Sequence, residues 1–232
     1  MKTRTDIAEE NVAVTPAISL AFWLFMATAG YAFVAGALCH RANPFASAEG
    51  NAYELPKLLA AALGVWLLGA RHTLRPFRAP WRRVLLWNGL GWAVPFFAAF
   101  VFHYLDRILK VDFGLTPHSF ATMSAYAWLI FGLAASLIAG LAAYHAFLAW
   151  RAGILLYWAG ALVAVVGTIA LLSVFWRETH SVHIHHFFLF GMFVPWLRFH
   201  NPVSVVCQAV CAGISVEGVA TYGMDPTWYP LH

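Results

Sequence analysis

The sequence predicts an all-α fold: a polytopic bundle of transmembrane helices with short loops and no soluble domain. Three observations predict it. The first is balance, since 62% of the 232 residues are hydrophobic and 10% charged, with a mean hydropathy of +0.70. An ordinary soluble domain is roughly 25% charged, so this chain lacks the polar surface to coat a globule in water. The second is the recurrence of long runs without Asp, Glu, Lys or Arg, where about 20 apolar residues suffice to cross the hydrocarbon core. The third is the set of 11 Trp, 8 Tyr and 19 Phe, which suits a bilayer because amphipathic rings favour the headgroup level and Phe the hydrocarbon.

Taken in order, residues 1–15 read as a short cytoplasmic tail, carrying Lys2, Arg4, Asp6, Glu9 and Glu10, before a retained first span at about 17–38. The second span, at about 56–70, is the shortest, because its apolar core lies between Lys57 and Arg71 and is of a length that also suits a re-entrant segment. The runs from Val84 to Leu105, Phe113 to Trp150 and Ala152 to Trp176 predict spans at about 84–105, 119–149 and 153–176. Arg151 and Gly153 mark the turn between the last two, since one helix through both would far exceed the membrane thickness. Spans at about 182–197 and 202–222 complete seven, with six as the alternative count. Asn201 is placed to cap the final helix, and Pro202 fits its first turn, where a missing N–H costs nothing.

Basic residues set the orientation, because Lys and Arg near helix ends favour the cytoplasmic side. With seven spans and the N-terminus inside, the inner face holds Lys2, Arg4, Arg71, Arg75, Arg78, Arg82, Arg83, Arg151 and Arg198. The outer face holds Arg41, Lys57, Arg107, Lys110 and Arg177. The expected setting is a bacterial inner membrane with residues 180–186 on the extracytoplasmic side. The basic residues are dispersed among apolar runs, so no nucleic-acid partner is expected; the partners are the lipid bilayer and, in one reading, other membrane subunits. Arg71 to Arg83 fits the same rule and the attraction of anionic headgroups. Cys39, Cys207 and Cys211 are too few for a disulfide framework, and the last two, four apart in an apolar helix, read as packing residues. Ala209 and Gly213 form a small-xxx-small pair that admits a close neighbouring helix.

The densest chemical signal is Glu178-Thr179-His180-Ser181-Val182-His183-Ile184-His185-His186. At 100° per residue on a helix, His180, His183 and His186 would fan over about 120° of one face, with His185 pointing elsewhere. Imidazole binds Zn, Cu and Fe, and carboxylates complete or orient such sites. The expected metal ligands are therefore His180, His183, His185, His186 and, from the same membrane face, His103; His40 and His118 are weaker members. Glu217 lies near the outer end of the last helix and Asp225 shortly beyond it, on the same face, with Glu217 read as interfacial. The element His183-Ile184-His185-His186 resembles a histidine box of the membrane desaturases and hydroxylases, a di-iron family. Its other boxes are missing here, so no membership follows.

Three functions compete. The first is a membrane metalloprotein holding Cu, Fe or Zn for redox or oxygenation chemistry on a lipophilic substrate. The second is a non-catalytic subunit of a larger energy-converting or transport complex. The third is a metal or proton transporter, for which the sequence offers few polar groups at mid-membrane. No Gly-rich phosphate loop, serine elbow, CxxC or HExxH occurs, so hydrolase, kinase and dinucleotide-binding readings have no support.

Overall fold

The computed structural model describes residues 4–38, 48–74, 81–109, 121–182, 184–224 and 227–230. Seven helices appear among them. They are α1 (Arg4–Phe33, continued by a wider π turn, Val34–Leu38), α2 (Ala48–Leu68, then a 3-10 turn, Ala70–His72), α3 (81–109), α4 (Ala125–Arg151), α5 (Leu155–Phe175), α6 (His186–Phe193, then a 3-10 turn, Val194–Leu197) and α7 (Pro202–Tyr222). A short antiparallel ribbon pairs β1 (His180–Val182) with β2 (Trp228–Pro230).

Among the described residues five segments are long and apolar enough to cross a membrane: Pro16–Leu38, Arg82–Phe102, Ala125–Arg151, Leu155–Phe175 and Pro202–Tyr222. Large apolar side chains point outward along them, among them Leu129, Leu133, Leu137, Val163 and Leu171, as expected of helices in contact with lipid. Two expected spans, at about 56–70 and 182–197, differ from the sequence reading. Helix α2 is longer than expected, but Glu54, Pro56 and Lys57 occupy its first half. The segment expected as one span at 182–197 instead ends strand β1 at Val182 and forms a twelve-residue apolar helix over His186–Leu197, which at 1.5 Å per residue rises about 18 Å against about 30 Å of hydrocarbon.

The chain divides into two compact units, Met1–Phe100 with Trp176–His232, and Val101–Phe175. In the second unit α4 starts at Ser124, whose hydroxyl accepts the Ala127 N–H at 3.1 Å. It turns into α5 at Gly153, where φ is +69°, a left-handed conformation that costs glycine nothing.

In the first unit α7 is the axle. Its start is the one expected: Asn201 is extended and its side chain accepts the Ser204 N–H at 3.0 Å, with Pro202 in the first turn. Between helices in hydrocarbon, close packing and hydrogen bonds do what water exclusion does elsewhere. Small residues on α7 provide the packing: a β-carbon at Gly213 would collide with the Phe96 carbonyl and stand 2.8 Å from Cβ of Ala99, so glycine lets α3 and α7 meet backbone to backbone. Pro95 sits in the first turn of the α-helical stretch Val94–Ala98, directly after the π-helical stretch Leu85–Ala93. Lacking an N–H, it breaks the regular ladder at that point. Around this seam Trp92 stacks on Phe96 at 5.1 Å and meets Trp23 edge-on at 5.4 Å. Indole N–H groups join α1 to α2, Trp23 donating to the Ala62 carbonyl at 2.7 Å and Trp66 to the Ser19 hydroxyl at 3.1 Å.

Candidate functional site

The histidine segment is not helical. After α5 the chain turns at Trp176, whose carbonyl accepts the N–H groups of Thr179 and His180. It then extends as β1, with Ser181 opposite Tyr229 and Val182 opposite Trp228. Helix α6 begins only at His186, with His185 extended before it. The expected fan of His180, His183 and His186 on one helical face is therefore overturned. A strand sends successive side chains to opposite faces, and its partner here is a segment 46 residues further on, which no local pattern announces.

The described histidines go separate ways. His180 Nδ1 lies 2.9 Å from the Thr179 hydroxyl, with its ring against Trp176. His185 Nε2 is 3.0 Å from the Tyr229 hydroxyl, and its ring stacks on Phe187. His186 turns into the bundle, its Nε2 3.6 Å from Oε2 of Glu217 and its ring edge-on to Tyr222. His183, His40, His118 and Asp225 lie outside the described residues. His103 belongs to the second unit, and its side chain is not among those described. Among the described residues, no three His, Cys, Asp or Glu side chains converge as metal ligands would.

Glu217 is the residue whose setting differs most from expectation. Read from sequence as interfacial, it is 1% exposed, enclosed where α6 crosses α7. Its Oε1 accepts the Thr221 hydroxyl at 2.8 Å, one helical turn on. A carboxylate in such a place is costly unless partnered, and His186 and Thr221 are partners of the right chemistry. Their approach depends on Gly218, where a β-carbon would stand 2.7 Å from His186 Nε2. A distance of 3.6 Å is too long for a hydrogen bond. It is close to the roughly 3.4 Å that separates two donor atoms on one tetrahedral metal ion with bonds of about 2.0 to 2.2 Å.

Further polar residues line the same axle. Gln208, fully buried, donates through Nε2 to the carbonyls of Val194 at 3.3 Å and Leu197 at 3.4 Å, and its Oε1 meets the Thr73 hydroxyl. Glu54, 5% exposed on α2, accepts the Met224 N–H at 2.8 Å and pairs with Lys57 at 2.6 Å. The sequence reading passed over both. A lone amide in an apolar helix was the available signal for Gln208, and a carboxylate three residues before a lysine was the signal for Glu54. Cys207 and Cys211 are free thiols, each partly buried on α7, in keeping with packing residues. Compared with protein families, with curated proteins and with solved structures, this chain matches none of them.

Proposed function

We propose that this chain is a seven-span membrane protein, N-terminus cytoplasmic, whose working centre is the His186–Glu217 pair at the extracytoplasmic end of α7. The centre holds a transition metal ion, Cu, Fe or Zn. The observation that carries the reading is the 3.6 Å separation of His186 Nε2 and Glu217 Oε2, a coordination edge rather than a hydrogen bond. The sequence adds His183, three residues before His186, as a further ligand, and an open position would remain for water or substrate. Redox or oxygenation chemistry on a lipophilic molecule is the activity such a centre suits, since it lies near the end of an apolar helix. In this reading His180 and His185 shape the rim through Thr179 and Tyr229.

The test is metal content by mass spectrometry on protein purified without chelator. Wild type should carry stoichiometric metal, and Glu217→Gln, His186→Ala and the His183/His185/His186 alanine variant should each lose it while folding. A folded wild type without metal sinks the reading. One observation favours a second reading: the Thr221 hydroxyl, the Glu217 carboxyl and the His186 imidazole, three groups able to take up or release protons, lie side by side in the bundle. The pair then carries protons instead, and proteoliposomes should show a proton flux that Glu217→Gln abolishes.

A further inference from the structure

The opposite end of the first unit carries a second cluster, independent of the metal reading. Helix α2 ends in the 3-10 turn Ala70–His72, and α7 is preceded by Arg198. The two segments meet on one nitrogen: His72 Nε2 accepts from Arg198 Nη2 at 3.1 Å and from Arg71 Nε at 3.4 Å. A neutral imidazole nitrogen offers one lone pair, so two guanidinium groups share a single acceptor. Each guanidinium carries five N–H donors in a planar fork shaped for carboxylate or phosphate. Among the described side chains of this unit the carboxylates are committed elsewhere: Glu54 to Met224 and Lys57, Glu178 beside Arg177, Glu217 beside His186. Two like charges are thus held within 3.4 Å of one uncharged atom, with most of their donors directed away from it. Beside them the Trp87 indole donates to the Thr73 carbonyl at 2.8 Å and stacks on His200 at 4.7 Å, placing an aromatic pair of the kind that settles at headgroup depth.

We propose that Arg71, His72 and Arg198 form a seat for a phosphate-type anion at the α2–α7 end of the bundle. The anion is the phosphodiester of an anionic lipid headgroup or a free phosphate, and in either case it accepts from both guanidinium forks across the His72 edge.

Native mass spectrometry of protein equilibrated with equal phosphatidylglycerol and phosphatidylcholine tests the lipid source. Wild type should prefer phosphatidylglycerol by roughly thirtyfold, the worth of two basic residues near an anionic surface. The double variant Arg71→Gln/Arg198→Gln should lose that preference, and Arg82→Gln/Arg83→Gln, exposed at the same end, should keep it. In lipid-free detergent, a rise of the melting midpoint with inorganic phosphate over chloride at equal ionic strength, without lipid preference, assigns the seat to free phosphate. If the double variant does not fold, Arg198→Lys decides, since it keeps the charge and loses the fork: undiminished retention overturns the seat. So does equal loss in the Arg82/Arg83 variant, which would mark a diffuse field. So does a wild type that takes neither anion.

Discussion

Gly218 lies directly beneath His186, where a β-carbon would stand 2.7 Å from the imidazole Nε2 and 2.7 Å from Cβ of Phe187. The second contact decides the consequence, because Cβ of Phe187 is fixed to the α6 backbone and cannot swing aside. Helix propensity alone would reward Gly218→Ala by about 1 kcal/mol, whereas forcing α6 off α7 costs about 1–3 kcal/mol. The variant is therefore expected to melt below wild type in detergent and to separate His186 from Glu217. A raised midpoint would show that α6 does not pack on α7 at this level.

Gln208 ties the last turn of α6 to the axle. Replacing it with Leu keeps the volume but leaves the Val194 and Leu197 carbonyls without the amide that reaches them. Thr73 still has the Ala70 carbonyl, to which its hydroxyl lies at 2.9 Å, so the cost falls on the α6 side. Buried acceptors stripped of a donor cost about 1–3 kcal/mol. Gln208→Leu should lower the melting midpoint and speed amide exchange across 194–200, and wild-type exchange there would refute the tie.

What the sequence disclosed and what it hid follow from the range of the interactions concerned. Asn201 with Pro202 and Arg151 with Gly153 are local signals, complete within a few residues, and both the cap and the turn form where the sequence places them. Ala209 and Gly213 announced a close helix contact, and Gly213 makes one against Phe96. The histidine cluster misled because its helical reading assumed local structure. Strand β1 exists only by pairing with Trp228–Pro230, and that pairing turns His185 toward Tyr229 and away from His186. Glu217 looked interfacial because its distance from the helix end was legible, whereas the covering by α6 was not. Among the described residues five segments are long and apolar enough to cross a membrane, while α2 starts with polar residues and α6 is short, so length and composition mark these two less plainly.

Glu54 closes the bundle at the C-terminal end of α7, accepting the Met224 N–H just past Gly223, whose φ of +81° turns the chain there. Gln at this position still offers an amide oxygen but loses the charge that strengthens the bond, whereas Ala removes the acceptor. The Lys57 pair adds little, since a half-exposed ion pair is worth about 0–1 kcal/mol. Glu54→Gln is expected to lower stability by about 1 kcal/mol and Glu54→Ala by more, up to about 3 kcal/mol. Equal midpoints for the two variants would mean that the backbone bond contributes nothing.

His72 carries a pH dependence whose sign is fixed by its surroundings. Burial, then the Arg198 charge and then the Arg71 charge hold its imidazole below the ordinary value of 6.5. The fold therefore favours the neutral ring, which keeps Nε2 free to accept from both guanidinium groups. As pH falls through about 6.5 the unfolded chain takes up this proton before the folded one does, so the unfolded state gains and stability declines. The decline stops below the folded value, where both states are protonated. His72→Gln supplies an oxygen acceptor that does not titrate. Melting midpoints of wild type and variant should run together near pH 8 and diverge toward about pH 5, with wild type losing more. The subtraction cancels the remaining histidines, and a wild type that gains on the variant as pH falls would place a charged, not a neutral, imidazole between the two arginines.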